Sequence, residues 1–371
     1  MPYGDTIDIK TMKIGILTFH CAKNFGAVLQ AFGLCQYLQR LGLNVSIVDY
    51  RPDYLIAPYR PFYPLRMNAG KKSWKLGILL IVRELLSLPI RYKRERFFNR
   101  FIRENLHLSP LQMDDKANDF DAFVFGSDQI WNCSLTQSDS VFWGNAPAFE
   151  GRKRIAYAAS AGSIKVLDEN AIVNLELFNA VSVRERSLAD YLNIFLTKKI
   201  QVVLDPVLLA GRDVFRAIAT TKHRSPYLLY FTLDGNTKLR VIAERLARNR
   251  NLELIEIISY NICFSKSNVK HVLSVNEFLG LFMNADFVVT KSFHGTAFSV
   301  LFEREFMVYY DEKEVPERMY NLLNALNLDN RLKHIDDLSL TSFPIDWHHV
   351  NEKLEKMRVS SRQFLAEALG C

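Results

Sequence analysis

The sequence offers little for covalent or metal cross-linking. Its five cysteines are an odd number in a chain of 371 residues, and they include no Cys-x-x-Cys pair and no nearby histidine at zinc-ligand spacing. This pattern argues against a disulfide framework or a zinc site, so no metal is expected. Unpaired cysteines in a large chain predict a reducing compartment, which favours a cytoplasmic location. The cysteines are Cys21, Cys35, Cys133, Cys263 and Cys371.

The chain also lacks an apolar segment of membrane-spanning length. The longest apolar stretch, residues 76–90, contains Arg83 and Glu84 and falls short of the roughly 20 residues that a spanning helix needs. The first dozen residues have no apolar core, so we do not expect a secretory signal there. Met12 is a plausible original start, and the residues before it are left out of the fold prediction.

Several nucleotide-binding and hydrolase motifs are missing. The loop after the first predicted strand is not G-x-G-x-x-G, and the chain has no Walker lysine loop, no His-Glu-x-x-His and no G-x-S-x-G. The sequence therefore lacks the motifs that would indicate dinucleotide binding or an NTPase, zinc protease or serine hydrolase function. The charge balance, 47 basic to 40 acidic residues, suits anionic ligands or a bilayer surface. It is too diffuse to indicate nucleic acid.

One segment is locally basic. Residues 71–103 carry ten lysines and arginines against Glu84 and Glu95, interleaved with leucines and phenylalanines. This composition predicts a basic amphipathic helix. Such a helix either packs on its own domain, which is the commoner case, or lies at an anionic membrane surface.

Short apolar strands alternate with helices along most of the chain. The cycle begins at residue 13 and restarts near residue 225, which predicts two doubly wound, Rossmann-like α/β domains over 13–222 and 223–345. A C-terminal helix over 346–371 is expected to pack back on the first domain. Ser274 and Glu277 have the spacing of a capping box at a helix start. Two such domains predict an interdomain cleft at the carboxyl ends of their strands.

A polar turn in the second domain is the first candidate for chemistry. In "ADFVVTKSFHGTAFSVLF", residues 285–302, His294 stands at the start of a predicted helix. The free amides of a helix N-terminus attract an anion such as phosphate, and Gly295 allows the backbone to come close. A bound phosphate favours the imidazolium, which suits a general acid. A histidine that merely ties the loop together is an equal alternative. The same turn contains Lys291, Ser292 and Thr296.

Two further polar segments that follow predicted strands of the first domain could face this turn. Arg184 and Arg186 follow a predicted strand, and a guanidinium grips a carboxylate or phosphate through two oxygens, although surface charge would explain at least one of them. Ser187 is placed to cap the next helix. In "FDAFVFGSDQIWN" short polar side chains precede an indole, which suits either a sugar ring or an Asx turn beside a core tryptophan. These residues are Ser127, Asp128, Gln129 and Trp131, and the loop after the first strand adds Asn24, Gly26 and Gln30.

Six segments, taken in order, resemble the polysaccharide pyruvyl transferase family. They are "NFGAVLQA", "FGSDQIWN", "IAYAASAG", "SVRERS", "VLDPVLL" and "SFHGTAFSVLF", within a resemblance that runs from about residue 13 to about residue 310. The resemblance implies a GT-B-like fold and transfer of pyruvate from phosphoenolpyruvate onto a sugar as a cyclic ketal, in bacterial surface polysaccharide biosynthesis. The donor is a substrate, and no cofactor is implied. The expected acceptor is linked to a nucleotide or to polyprenyl diphosphate.

The resemblance also assigns roles to individual residues. Arg184 is similar to the family's donor-binding arginine and His294 to its acid. Some members have Arg-Leu-His where this chain has Ser292, Phe293 and His294, and Lys291 is the expected substitute for that arginine's charge. From the residue patterns described above, the predicted donor side also includes Lys291, Ser292, Gly295, Thr296 and Arg186. The predicted acceptor side consists of Asn24, Gly26, Gln30, Ser127, Asp128, Gln129 and Trp131.

Two other classes of function remain open at this stage. A GT-B glycosyltransferase that uses a nucleotide sugar would share the fold and the cleft, since fold alone does not decide function. A non-catalytic sugar-binding member of a glycan assembly complex is the third possibility, because an arginine of the family's motif is replaced here.

Overall fold

The computed structural model describes residues 12–63, 74–162, 167–221, 223, 225–233, 235–258, 269–270, 272–311, 313–337, 339 and 343–370. In these ranges the chain forms two parallel β-sheets with helices around them. None of the helices in the described ranges combines the length and the apolar character that a membrane crossing requires.

The first sheet has seven strands in the order β3-β2-β1-β4-β5-β6-β7, and every pairing is parallel. The order runs outward in both directions from β1 and β4, so the sheet has its topological switch point between these strands. Its strands are β1 Lys13–Leu17, β2 Asn44–Val48, β3 Leu108–Ser109, β4 Ala122–Phe125, β5 Lys153–Ala159, β6 Ala180–Val183 and β7 Gln201–Val202.

The second sheet has six strands in the order β10-β9-β8-β11-β12-β13, again all parallel. Its switch point lies between β8 and β11. The prediction of two doubly wound α/β domains is confirmed, and their two-domain arrangement is GT-B-like. The strands are β8 Tyr227–Thr232, β9 Glu253–Ile258, β10 Val269–Lys270, β11 Phe287–Thr290, β12 Glu305–Tyr310 and β13 Leu332–His334.

The helices connect these strands and cover both sheets. They are α1 Phe25–Arg40, α2 Asp53–Ile56, α3 Trp74–Asn105, α4 Cys133–Thr136, α5 Glu169–Glu176, α6 Arg186–Phe195, α7 Pro206–Ala210, α8 Arg212–Arg216, α9 Thr237–Asn249, α10 Val275–Asn284, α11 Phe293–Leu301, α12 Glu317–Ala325 and α13 Trp347–Leu369. Single 3-10 turns occur at Ala57–Tyr59, Ser140–Trp143, Pro147–Phe149 and Asp329–Arg331.

Side-chain caps fix the starts of the helices that point at the cleft. Asn24 accepts a hydrogen bond from the Ala27 amide at the start of α1, at 2.8 Å. Ser292 does the same for α11. The predicted capping box at α10 is confirmed, because Ser274 and Glu277 each bond the other's backbone amide. Such caps satisfy amides that have no partner within their own helix.

An apolar seam joins the two domains. The rings of Phe25 on α1 and Phe278 on α10 stack with centroids 4.0 Å apart and planes 5° from parallel. Phe298 on α11 and Phe215 on α8 contact each other edge to face in the same buried cluster. Because burial of large aromatic side chains is a major source of packing energy, this seam holds the two sheets in a defined relation.

The last helix lies against the first domain. Leu365 and Leu369 on α13 are buried in a cluster with Ile14 of β1. The backbone amide of Leu204 donates to the Ser361 hydroxyl on α13 at 3.0 Å. Earlier in the same helix, Val350 packs in the interdomain seam.

The predicted basic helix is α3, and its two halves differ. Phe98, Phe101 and Ile102 in the second half are buried in the interdomain seam. This half is the helix packed on its own protein that the composition favoured. In the first half Leu85 and Leu86 are exposed. Lys71 and Lys72 of the predicted segment lie outside the described residues.

Candidate active site

Two helix N-termini, one from each domain, meet at a cavity of about 480 Å³ between the sheets. α1 follows β1 in the first domain and α11 follows β11 in the second, so both helices start at the carboxyl edge of a parallel sheet. Gly26 of α1 and His294 of α11 line the cavity together. Their free amides give the cavity a positive partial charge.

The imidazole of His294 lies directly on the backbone of Gly26. A Cβ atom at position 26 would come within 2.2 Å of His294 Nδ1, far inside any van der Waals contact. Glycine is therefore the residue that lets the ring occupy this place. The sequence placed Gly26 and His294 in the same cleft, and the structure brings them into contact.

Asp205 faces the other side of the imidazole. Its Oδ2 atom lies 3.7 Å from His294 Nε2, and the carboxyl is buried at the start of α7, where Oδ1 accepts from the Val207 amide at 2.9 Å. Burial by itself would raise the pKa of Asp205, but the neighbouring His294 and Arg184 outweigh it and lower that pKa to about 2. Asp205 is therefore an ionised group that faces Nε2 at a distance longer than a hydrogen bond, while Nδ1 lies on the Gly26 side.

Arg184 is committed to two carboxylates. Its guanidinium donates to Asp205 Oδ2 at 2.7 Å and to Asp128 Oδ1 at 3.1 Å, and the residue is only 5% exposed. Burial acts to lower the pKa of Arg184, but the charges of Asp205 and Asp128 prevail and raise it. Arg184 does not line the cavity that holds His294, which differs from the prediction of a guanidinium open to the donor. It acts on the site through Asp205.

A second arginine, which the sequence reasoning missed, does line that cavity. Arg318 on α12 lies over the ring of Phe293, 5.7 Å from its centroid, with Nε 3.7 Å from Glu185 Oε1. With its amide oxygen turned towards Arg318, Gln129 accepts from both terminal nitrogens at 3.2 and 3.3 Å. Burial and the charge of Arg184 lower the pKa of Arg318. The signal was available, since Arg318 also follows a strand, β12, at the carboxyl edge.

Lys291 and Arg186, the two other cations predicted at the donor site, line different cavities. Lys291 lines the cavity, and its ammonium pairs with Asp311 Oδ1 at 2.6 Å, so part of its charge is compensated. Arg186 is exposed and lines a neighbouring cavity of about 530 Å³, which also touches Arg184 and Arg318. Lys291 was expected to supply the positive charge of the family's missing arginine, and Arg318 is a second candidate for that role.

The other donor-side residues of the turn are mostly structural. Ser292 caps α11. Thr296 is fully buried, and its hydroxyl donates to the Ser292 carbonyl at 3.1 Å, so its predicted contact with the donor is wrong. A Cβ at Gly295 would meet Thr290 Oγ1 at 2.4 Å, which shows that this glycine serves the packing of α11 on β11. Neither residue opens towards a ligand.

Three of the predicted acceptor residues are also internal. Gln30 is fully buried, with its amide nitrogen donating to Thr18 Oγ1 and to the Ala27 carbonyl. Ser127 is fully buried and donates to the Ala158 carbonyl. Trp131 has no exposed surface, and its indole stacks on Trp143 and donates to the Phe142 carbonyl. The predicted sugar contacts of these residues are wrong, and the core tryptophan was the correct alternative.

The remaining acceptor candidates do reach the cavity. Asn24, Asp128 and Gln129 line it, and Asn24 also donates to the Tyr59 hydroxyl at 3.2 Å. Tyr54 and Tyr59, from the short helical region after β2, supply the aromatic rings that Trp131 was expected to provide. Nothing in the sequence marked these tyrosines, because they follow a strand only at a distance.

One contact crosses the mouth of the cleft between α12 and α6. Glu317 Oε1 accepts from the Ser187 amide at 2.8 Å, and Oε2 accepts from the Ser187 hydroxyl. Ser187 was predicted to cap its own helix, but α6 has Glu185 at the N-cap position and receives its cap from the second domain. Glu317 and Arg318 are adjacent on α12, so this contact positions Arg318.

Within the described residues, no group of three or more histidine, cysteine, aspartate or glutamate side chains is arranged to hold a metal ion. The groups around the cavity include an imidazole, two helix N-termini, a guanidinium, an ammonium, two tyrosines, the carboxylate of Asp128 and the amides of Asn24 and Gln129. Together they suit an anionic ligand that carries a group to be protonated.

Comparison with solved structures finds an epimerase and two transferases. One is UDP-GlcNAc 2-epimerase from Neisseria meningitidis bound to UDP-GlcNAc, with a TM-score of 0.47, 11% identity and coverage of 97% of this chain and 100% of that one. Another is the glycosyltransferase SnogD from Streptomyces nogalater, with a TM-score of 0.42, 10% identity and coverage of 97% and 100%. A third is the E. coli heptosyltransferase WaaC with ADP-2-deoxy-2-fluoro heptose, at 0.37, 11%, 93% and 99%.

The comparison at family level is more specific. No curated protein matches the chain. The family model described as polysaccharide pyruvyl transferase matches residues 24–312, which is more than half of the chain and spans both sheets. The matched region contains both Gly26 and His294. The chain belongs to the polysaccharide pyruvyl transferase family.

Proposed function

We propose that the protein transfers pyruvate from phosphoenolpyruvate to two hydroxyl groups of a sugar and forms a cyclic ketal. Membership of the family supports a transferase that modifies glycans with pyruvate in polysaccharide synthesis. The observation that carries the finer proposal is the position of His294. A proton donor between two helix N-termini suits a phosphorylated enol. The helix amides can bind the phosphate of the enol, and the donor can protonate its methylene carbon.

The reaction begins with a proton. His294 donates it to the methylene carbon of phosphoenolpyruvate, and the resulting positive charge at the central carbon is shared with the attached oxygen. One sugar hydroxyl attacks that carbon, phosphate leaves by cleavage of the carbon–oxygen bond, and a second hydroxyl attacks in its place. Of the two protons that the hydroxyls lose, one returns to His294 and the other leaves with phosphate. The products are the ketal and inorganic phosphate.

Arg318 binds the donor's negative charge in this proposal. Its guanidinium lines the cavity next to Phe293. Its Nε lies 3.7 Å from Glu185, and its terminal nitrogens donate to the neutral amide oxygen of Gln129 at 3.2 and 3.3 Å. Arg184, in contrast, has two short carboxylate partners. Arg318 is therefore the better placed of the two to take up the carboxylate or phosphate of the donor, since a guanidinium can bind two oxygens. Lys291 lines the same cavity and adds positive charge.

The acceptor lies on the side of the cavity formed by the first domain. Tyr54 and Tyr59 offer ring faces for a sugar, and Asn24 and Gln129 offer hydrogen-bonding groups at its edge. We assign the acceptor to a hexose or N-acetylhexosamine linked to a nucleotide or to polyprenyl diphosphate. Arg184 is a positioning residue that holds Asp205, whose carboxylate lies 3.7 Å from His294 and acts on the imidazole through its negative charge.

The product identifies the reaction. Incubation with phosphoenolpyruvate and acceptor should release inorganic phosphate and raise the acceptor's mass by one pyruvate less one water. Because an ester or an enolpyruvyl ether has the same mass, NMR must show a methyl group on a saturated ketal carbon that carries two oxygens, with no ketone carbon, which excludes the ester, and no vinyl protons, which excludes the enolpyruvyl ether. Vinyl protons would mean enolpyruvyl transfer. A mass gain of one sugar from a nucleotide sugar would mean glycosyl transfer, and either result would overturn the proposal.

Gly26→Ala tests the contact between the two domains. The new methyl group overlaps His294 Nδ1, so the ring must move, and a misplacement of about 1 Å can cost about a hundredfold in rate. Turnover, measured as phosphate release, should fall by that order. The thermal midpoint should hold, because alanine favours a helix over glycine by about 0.5–1 kcal/mol. Near-normal turnover would show that His294 tolerates displacement.

A matched double variant serves as the control for Gly26→Ala. In a chain that also carries His294→Ala, the added methyl group finds the space of the missing ring. The double variant should therefore lose little beyond His294→Ala alone. A full additional loss would mean that Gly26→Ala acts through something other than the imidazole.

Arg318→Ala tests the donor's cation. Loss of a charge-assisted contact of about 1.5–3 kcal/mol should raise the KM for phosphoenolpyruvate by roughly ten- to a hundredfold. Arg318→Lys should recover part of this, because it restores charge without the planar fork. Arg245→Ala, at an exposed position on α9, is the matched control and should behave as the unchanged protein. An unchanged donor KM in Arg318→Ala, with the fold intact by circular dichroism, would remove Arg318 from the donor site.

A further inference from the structure

The first half of α3 turns large apolar side chains towards solvent. Leu86 is 63% exposed, Tyr92 58% and Leu85 52%, and Ile81 and Val82 are each 45% exposed. Spacings of three, four and seven residues put Val82, Leu85, Leu86 and Tyr92 on one side of the helix. We call these five residues the apolar face of α3. Singly exposed apolar residues are common on proteins, but a contiguous set on one face marks an interaction surface.

Among the side chains described in this half, a polar group lies on the covered side. Ser87 is buried, and Arg91 donates to its hydroxyl at 2.8 Å and to Glu84 Oε1 at 3.0 Å. Both members of the Glu84–Arg91 ion pair are less than a fifth exposed. The helix therefore exposes its apolar face while it covers an ion pair and a serine.

The exposed side continues along the helix as a row of cations. Lys93, Arg96 and Arg103 are exposed beyond Tyr92. The acidic residue within this stretch, Glu95, is bound to Lys23 on the loop after β1. Going along α3, the exposed side is thus apolar first, aromatic next and basic last. Apolar side chains for the acyl boundary and cations for anionic headgroups are the two components of interfacial membrane binding.

α3 lies beside the entrance to the active-site cavity. Arg94 donates to the carbonyl of Lys23 at 3.5 Å, and the next residue, Asn24, lines the cavity. A surface that binds the apolar face of α3 would therefore lie close to the acceptor side of the cleft.

We propose that the apolar face of α3 docks on an anionic bilayer, with Lys93, Arg96 and Arg103 at the headgroups. A second copy of this chain fits less well, because it would present the same positive charge. The docking presents the cleft to acceptors carried by membrane lipid. This last step, which selects the polyprenyl-linked acceptor, rests on the proposed function, whereas docking itself does not.

Vesicle binding by Leu85→Ser/Leu86→Ser tests the docking. The unchanged protein should co-sediment with vesicles that contain phosphatidylglycerol, more weakly with pure phosphatidylcholine, and less as salt rises. Since burial of apolar side chains drives such binding, the double variant should bind these vesicles at least about tenfold more weakly. Its turnover of a soluble nucleotide-linked acceptor should be unchanged, because neither leucine lines the cavity.

Val173→Ser/Ile194→Ser is the matched control, since both residues are exposed apolar side chains on α5 and α6. It should bind vesicles as the unchanged protein does. Equal binding by the leucine variant, or no binding of anionic vesicles by the unchanged protein with its fold intact by circular dichroism, would overturn the docking. A dimer in solution that Leu85→Ser/Leu86→Ser dissociates would assign the face to a second copy instead. None of these outcomes depends on the identity of the reaction.

Discussion

The contact between His294 and Gly26 is the constraint on which the site depends. It places a titratable ring from the second domain against the first turn of a helix from the first domain, with no side chain between them. The contact requires that the carboxyl edges of the two sheets face each other, and the stacked rings of Phe25 and Phe278 hold them so. An open pair of domains would separate the imidazole from one of its two helix N-termini. Closing the two domains would therefore also bring the imidazole to both helix N-termini and complete the site.

Behind this contact lies a cluster of buried charges. Arg184 joins Asp128 to Asp205, and Glu185 lies between Ser160 and Arg318. Burying such groups is costly, and the attraction between them repays it only when each has close partners. Burial raises the pKa of Glu185 against the opposing charges of Arg184 and Arg318, so its ionised form is incompletely compensated. A donor anion that binds Arg318 would add a second negative charge to an arginine whose contact with Glu185 is 3.7 Å long.

Much of the fold could be read from the sequence, because periodicity and caps are local. The alternation of strands and helices, the start of α10 at Ser274 and the polar turn at His294 all depend on neighbours in the chain. Predictions about single side chains failed where burial decided the outcome. Trp131, Gln30, Ser127 and Thr296 follow strand ends as ligand-binding residues do, yet each is enclosed by elements that are distant in sequence. Arg318 was missed for the converse reason, since α12 brings it to the cleft from beyond β12.

The central claim is that His294 is the acid of the reaction rather than a fastener of its loop. The most direct test is the rate of phosphate release from phosphoenolpyruvate by His294→Ala, with acceptor present and both substrates saturating. Removal of a general acid should lower this rate by about a hundred- to ten-thousandfold. Donor binding should largely persist, because the helix amides and Arg318 remain. A rate near that of the unchanged protein would contradict the account, whatever the structure places around the imidazole.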